Sequence, residues 1–447
     1  MTHSRIAAHD LANGPGTDFP RCYWQNGVND DFAVGGAPGA IEPDASADII
    51  IVGGGFAGLA TACRIAERQP DAKVVLLEAN KVGYGASGRN GGLVSPLAAP
   101  VWLAGALHNG RQADALRMLY RQSQAAAEWA RQHAPDAEVR RTDLVIAAQG
   151  PLTAAGLSEV ADVIVKSGIP AQQSRARNRP TELRLGTYTI HPYKLAIGLT
   201  AYARRLGVSI CEQTPVKSIE PASSGAAVHL ASGKSILAKT VVIAANAYSG
   251  SIEMPSRPAG KVVRNFMVAT KPLTDTQLAS LAHSDDFVVE LNRKYIFYRV
   301  HERRLVFGGI DKVGAPKSFN DFEIPGDVRQ SLQRELTARL GGDRDVEIEF
   351  GWGGRFHMTM TDLPIIERIS THPSVIYNAG YGGTGVALTL ALAPVAAALA
   401  LSQPVEDDEL GHVAHVMRET RLPVRGGLAL AAGVTRRIFS RLLTRAD

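Results

Sequence analysis

The sequence predicts an α/β chain in two parts: a Rossmann-type domain built from discontinuous segments, and a second domain with a mixed or antiparallel β-sheet. Three observations predict it. An apolar run, ADIIIVGGG (47–55), leads through GGGFAG into a helical stretch and a second apolar run, KVVLLEAN (73–80). Residues 261–310 are β-rich, as VVRNFMVATKPL, DDFVVELN, KYIFYRV and RLVFGGI. The glycine-rich strand-to-helix style of the start then returns at SVIYNAGYGGTGV.

Each element has a local reason. A short, unbroken apolar run suits a strand buried on both faces of a parallel sheet. Strand, helix and strand within about thirty residues make a βαβ unit. RQADALRMLYRQSQAAAEWARQHA (111–134) has helical spacing, DLVIAAQ (143–149) reads as a strand, and PYKLAIGLTAYARRLG (192–207) as a helix. AVHLA, SILA and TVVIAANAYS have hairpin character. VRQSLQRELTARLG reads as a helix, DVEIEFGWGGRF as a strand, and residues 386–401 as one buried helix. The division that follows assigns 47–100, 190–255 and 345–402 to the first domain, and 101–189 and 256–344 to the second. Residues 1–46 read as an irregular arm with a packing point at CYW (22–24), and 403–447 as a basic helical tail.

Composition narrows the function classes. At 447 residues, with 45% hydrophobic and 20% charged residues, the chain can bury more than one core. From His412 to Asp447 there are seven Arg against Glu419 and Asp447, a net +5 that equals the net charge of the whole chain. The body is therefore neutral, which excludes a basic nucleic-acid-binding surface. Cys22, Cys63 and Cys211 are far apart, with no metal-ligand spacing, and fit a reducing, cytoplasmic setting. The N-terminus lacks the apolar core of a secretory signal, and no unbroken apolar run is long enough for a spanning helix. The segment 428–445 interleaves apolar residues with Arg436, Arg437, Arg441 and Arg445. It could lie on an anionic membrane, although a solvated or subunit-packing helix is the reading preferred here.

The chemistry lies in the glycines. Gly53, Gly55 and Gly58 form G-x-G-x-x-G between strand and helix, with Phe56 and Ala57 opening the helix. The first glycine serves the tight turn, the second lets a pyrophosphate approach, and the third lets the helix lie on the sheet. Glu78, followed by Ala79 and Asn80, ends the next strand, where a carboxylate binds ribose hydroxyls. GYGASGRNGG (83–92) then places five glycines around one Arg–Asn pair. Together these motifs predict dinucleotide binding.

The stretch GASGRNGG, with HPYKLAIGLTAYARRLGV, TPVKSIE, TVVIAANAYS, RRLVFGG, WGGRF, LPIIER and GYGGTGVALT, resembles the D-amino-acid-oxidase-like superfamily of FAD-dependent oxidoreductases. Its nearest likeness is to the gamma-glutamylputrescine oxidase branch, over roughly residues 45–402. The resemblance implies a Rossmann-type FAD-binding domain and a substrate domain, with substrate between sheet and flavin. It implies that Glu78 holds the adenosine ribose, that the main chain at Val216 meets the adenine, and that Ala245 and Asn246 line the phosphates. Gly85, Ala86, Ser87, Arg89, Asn90, Gly91, Gly92 and Leu93 would follow the pyrophosphate and the ring edge, with Arg89 and Asn90 as polar contacts. Gly353, Gly380, Tyr381, Gly382, Gly383, Thr384, Gly385 and Val386 would approach the other end. No His lies in the glycine stretch and no Cys follows Cys211, so FAD is expected to be non-covalent.

For the substrate, Arg264 and Arg355 are candidates for anion binding and catalysis, with Tyr298 as a further catalytic candidate and Tyr248, Trp352 and Tyr381 as walls. His191 and His357 are read as structural. No metal site is expected. The expected activity is oxidation of the C–N bond of an amine or amino acid, with imine hydrolysis and electrons passing to O2, giving peroxide, or to quinone. A 2-hydroxy-acid dehydrogenase and a non-catalytic flavoprotein chaperone remain alternatives. Oligomeric state is not legible.

Overall fold

The computed structural model describes residues 22–28, 46–95, 97, 110–148, 151–174, 181–254, 256, 259–291, 295–313, 324–340, 346–359 and 363–421. The tail segment 428–445 lies outside them, as does most of the arm.

Two large sheets carry the chain. The first has eight strands, with the order β16–β17–β10–β1–β2–β7. They are β1 (Ser46–Val52), β2 (Val74–Leu77), β7 (Ser209–Cys211), β10 (Ser235–Ile243), β16 (Ile365–Ile369) and β17 (His372–Ala379), with β8 (Val216–Ala222) and β9 (Gly225–Leu230) attached as a hairpin beside β10. β1 pairs in parallel with β2 and β10, and β10 in parallel with β17. Ile49 to Val52 are all buried, as a central strand covered on both faces requires. Helix α1 (Phe56–Arg68) covers one face with its Ala- and Leu-rich side, and the β8–β9 hairpin closes the other.

The second sheet has nine strands in the order β15–β11–β14–β13–β12–β4–β6–β3, with β5 beside β6. Its members are β3 (Leu93–Val94), β4 (Arg140–Ala148), β5 (Gln172–Ser174), β6 (Thr181–Thr189), β11 (Gly260–Thr270), β12 (Phe287–Leu291), β13 (Tyr295–His301), β14 (Arg304–Val313) and β15 (Ile348–Thr359). Only β4 and β12 pair in parallel; the other pairs are antiparallel. Helices α2 (Gly110–His133), α3 (Pro151–Lys166) and α4 (Pro192–Arg205) intervene between the early strands; α5 (Asp275–Ser280) and α6 (Gly326–Arg339) accompany the later ones. Leu332 and Leu336 of α6 pack with Phe266, Val268 and Phe307 on the outer face of this sheet.

The structure corrects three expectations. β15 belongs to the second sheet, where it pairs with β11 from Gly260–Thr359 to Thr270–Ile348, so the first domain does not own all of 345–402. β3 likewise leaves the 47–100 segment to pair with β6. The expected helix at 386–401 is two helices, α7 (Gly385–Ala391) and α8 (Ala393–Leu401), bent by 62°. Pro394 has no N–H to donate, and its ring excludes the carbonyl of Leu390 from helical geometry. The seven-residue α7 therefore carries only a short helix's dipole towards the residues before it. Helix α9 (Asp408–Arg421) closes the described chain. Among the described residues no single helix is long and apolar enough to cross a membrane.

The CYW packing point of the arm is present. Cys22, Tyr23 and Trp24 are buried, and the three-residue 3₁₀ turn Tyr23–Gln25 packs with Met267, Ala269, Val306 and Trp352 of the second sheet. Cys22 Sγ lies 3.6 Å from the Gly88 carbonyl. The arm is thereby fastened behind the glycine-rich stretch.

Candidate active site

The first strand–turn–helix brings three main-chain segments into contact. Gly53 has φ +116°, and a Cβ there would stand 2.7 Å from the Ala244 carbonyl oxygen at the end of β10. A Cβ on Gly58 would be 2.0 Å from the Gly53 oxygen, so only glycine lets α1 rest on the turn. Gly55 caps α1, and Ser87 Oγ accepts the Phe56 N–H at 2.8 Å. One helix N–H is thus satisfied by the protein, and the remaining ones are available to an anion.

Glu78 accepts Gly54 N–H at 2.6 Å and Asn80 N–H at 2.8 Å, one on each oxygen. Each oxygen keeps a second lone pair for a hydroxyl donor, which suits a ribose. Burial pushes this carboxyl up to about 6, against the pull of its two N–H donors. The glycine cradle and the two-oxygen acceptor together fit the adenosine and pyrophosphate of a dinucleotide.

The stretch 83–92 divides its glycines between two tasks. A Cβ on Gly88 would lie 2.2 Å from the Gly83 oxygen, and one on Gly92 (φ +80°) 2.3 Å from the Ile190 oxygen. These two glycines admit neighbouring backbone. Gly85 and Gly91 instead face rings: Tyr248 at 3.3 Å, and Phe297 and Phe287 at 3.1 and 3.2 Å. The Arg–Asn pair works largely on the protein itself. Arg89 Nε donates to the Tyr84 carbonyl at 2.6 Å and Nη1 to the Gly353 carbonyl at 3.3 Å. Asn90 Nδ2 donates to the Ala86 and Ser87 carbonyls, while Oδ1 accepts Gly92 N–H at 2.8 Å. Each side chain thus ties down the loop whose main chain faces the cleft, and each also reaches the cleft itself.

At the opposite end, Asn246 (φ +44°) accepts Gly380 N–H at 3.1 Å, which couples the end of β10 to the GYGGTG turn. Tyr381 is buried, and its hydroxyl donates to Asn378 Oδ1.

A cleft of about 700 Å³ joins these parts. Gly53, Gly55, Phe56, Ala57, Glu78, Ala79 and Asn80 line it, as do Gly85, Ala86, Ser87, Arg89, Asn90, Gly91 and Leu93. Val216, Ala245, Asn246, Tyr248, Trp352, Arg355 and the run Tyr381 to Val386 also reach it. Gly58, Gly92, Gly353 and Gly380 do not line it; they shape the backbone behind its wall.

Two substrate candidates fall elsewhere. Tyr298 pairs with Val288 and Phe307 and packs with Leu332 and Leu336 under α6, on the face away from the cleft. Burial and the Glu290 carboxylate push its hydroxyl well above the usual tyrosine range. Arg264 lies outside the lining, its guanidinium 5.3 Å from the Phe266 ring, whereas Asn265 and Met267 reach the cleft. Arg355, 7% exposed, is the arginine candidate in the wall, 5.9 Å from the Tyr248 ring. Trp352 donates Nε1–H to the Arg89 carbonyl at 2.8 Å, fastening β15 to the glycine stretch. His191 is the N-cap of α4, its Nδ1 accepting Lys194 N–H at 3.2 Å, and burial lowers it to about 3. His357, also lowered by burial, is outside the lining. Sequence reasoning missed Phe287, Phe297, Asn265 and Met267. Each alternates along its strand with outer-face residues, but because apolar residues occupy both faces that alternation does not mark the cleft side in the sequence.

Among the described residues no group of His, Cys, Asp or Glu could hold a metal ion. A family model described as FAD dependent oxidoreductase, DAO, matches residues 48–399. A probable oxidoreductase OrdL of Rhizobium meliloti is 30% identical over 384 residues, 81% of this chain and 85% of that one. Gamma-glutamylputrescine oxidoreductase of Escherichia coli is 30% identical over 366 residues, 76% of this chain and 80% of that one. Among solved structures, glycine oxidase from Geobacillus kaustophilus matches with a TM-score of 0.67 and 21% identity, covering 81% of this chain and 96% of that chain. L-proline dehydrogenase from P. horikoshii matches with a TM-score of 0.67 and 18% identity, covering 82% and 96%. The structural matches give the fold. The chain belongs to the DAO family of FAD-dependent oxidoreductases.

Proposed function

We propose that this enzyme oxidises the C–N bond of a small amine or amino acid, releasing an imine that hydrolyses to an aldehyde or keto acid. The carrying observation is the continuity of one cleft from the Glu78 cradle to a wall formed by Tyr248, Trp352, Phe297 and Arg355. The names of the relatives, gamma-glutamylputrescine oxidoreductase and glycine oxidase, support an amine or amino-acid substrate. FAD, when bound, supplies the two-electron acceptor, taking hydride at N5 from the carbon that bears nitrogen.

The residues prepare that transfer by position and polarity. Burial between Trp352, Phe297 and Met267 disfavours an ammonium, so the substrate nitrogen sheds its proton before reaction and its lone pair becomes available. Arg355 can orient an anionic group such as a carboxylate through paired N–H donors. Tyr381, held by Asn378, keeps its ring fixed against the cleft. The largely apolar wall disfavours water beside the reacting carbon until the imine leaves. Non-covalent attachment of FAD is part of the proposal. The division into a cofactor-holding and a substrate-holding sheet, with O2 as acceptor and quinone as the alternative, belongs to the same proposal.

Anaerobic bleaching of the purified yellow protein by amine, amino-acid and 2-hydroxy-acid panels tests it. Bleaching by amines or amino acids, followed by peroxide formation on admitting air, is expected. Bleaching by hydroxy acids alone would overturn the proposal.

A further inference from the structure

We infer that the substrate is an amine carrying an extended apolar substituent, and that this substituent lies in a chamber on the inner face of the second sheet. The inference rests on the amine reading above and names its substrate class.

Strand register builds the chamber. Leu144 stands beside Phe287, and Ile146 beside Val289, across the parallel β4–β12 pair. Val289 faces Phe297 on β13, and Phe297 faces Gly308 on β14. A Cβ on Gly308 would meet Phe297 Cζ at 2.6 Å and Met267 Cγ at 2.8 Å, so glycine there lets the two side chains converge. Met267 in turn faces Trp352 on β15. One continuous apolar strip therefore crosses the inner face of six strands. Leu157 and Val160 of α3 also line the cleft, as does Leu291 at the end of β12. The strip begins at the cofactor loop, where Gly91 lies against the stacked rings of Phe287 and Phe297, 6.1 Å apart and inclined by 13°.

Charge narrows the substrate further. Apart from tyrosines, the described lining holds three ionisable side chains: Glu78, Arg89 and Arg355. Glu78 is the only carboxylate of the three, and it is bound to Gly54 and Asn80 at the adenosine end. Arg89 is bound to Tyr84 and Gly353. A second ammonium at the far end of a diamine would meet no carboxylate among these residues. Burying such a charge unpaired is strongly unfavourable, whereas each buried methylene is favourable.

The test uses the flavin-loaded enzyme and 2-methyl-2-aminoalkanes of increasing length, which lack the α-hydrogen needed for oxidation. Dissociation constants are read from the perturbation of the visible flavin bands. Affinity is expected to rise about fourfold per added methylene until the chamber is full. A second amino group at the far end, also on a dimethyl-substituted carbon so that neither end has an α-hydrogen, should weaken binding by at least about tenfold at equal length. Affinity that stays flat or falls with length, or a diamine that binds as tightly, would overturn the inference. Val289→Thr keeps the volume and adds a hydroxyl; with flavin content unchanged it should weaken the longest ligand about fivefold. If the length dependence holds while no unhindered amine bleaches the flavin, the amine-oxidation reading fails and the chamber stands.

Discussion

Replacing Gly92 by alanine separates two reasons for the glycines of residues 83–92. Gly92 has φ +80°, and alanine in that left-handed region costs about 1–2 kcal/mol. The new Cβ would stand 2.3 Å from the Ile190 carbonyl oxygen, which must move. That oxygen accepts the Arg299 Nη2–H at 2.9 Å, and losing a hydrogen bond to a charged donor costs about 1.5–3 kcal/mol. Alanine also restricts the unfolded chain, which returns about 0.4–1 kcal/mol. The net expectation is a loss of about 2–4 kcal/mol. The assay is equilibrium urea unfolding of the flavin-free protein, with Gly85→Ala as comparison. Gly85 has φ −75°, and its Cβ would meet only the Tyr248 ring at 3.3 Å. Gly85→Ala should leave the flavin-free midpoint nearly unchanged and weaken FAD binding, because it narrows the cleft itself. If Gly92→Ala leaves the flavin-free midpoint unaltered and only weakens FAD binding, the assignment of Gly92 to backbone packing is wrong.

Other consequences can be measured on the same footing. The Glu78 carboxyl, raised to about 6 from an ordinary 4.5, keeps a proton in the folded state that the unfolded state has lost. Its contribution to flavin-free stability is thus full below about pH 4.5 and falls by about 2 kcal/mol as pH rises through 6. Glu78→Gln should flatten that window in pH-dependent unfolding and should also weaken FAD binding. Ser87→Ala removes the acceptor of the Phe56 N–H and should cost about 1 kcal/mol by thermal or urea unfolding. Trp24→Ala should cost about 3–5 kcal/mol through the cavity it opens beside Arg299, whose guanidinium lies 4.8 Å from the Trp24 ring. Arg355→Lys, read by steady-state kinetics, should raise KM for a substrate bearing a carboxylate far more than for one without.

The parts of this site that were legible in the sequence are those whose cause is local. The turn between β1 and α1 needs glycine at Gly53 and Gly58 because chain atoms a few residues away, or on an adjacent strand, leave no room for a side chain. Glu78 is legible because the strand carrying it follows the helix directly. Membership of a sheet is different: β15 pairs with β11, which lies almost ninety residues earlier, and no property of EIEFGWGGRF names that partner. Parity on β13 is hidden for a related reason. In YIFYRVH both faces are buried, Phe297 by the cleft and Tyr298 by α6, so hydrophobic alternation cannot say which tyrosine or phenylalanine meets substrate. Arg264 and Arg355 show the same limit, since they are direct neighbours across β11 and β15, yet only Arg355 lines the cleft. Glycine is the most ambiguous residue of all. In GYGASGRNGG the same letter stands for backbone packing at Gly88 and Gly92 and for contact with the cleft at Gly85 and Gly91. What separates these roles is the atom a Cβ would strike: a carbonyl oxygen behind the wall in one case, an aromatic ring facing the cleft in the other.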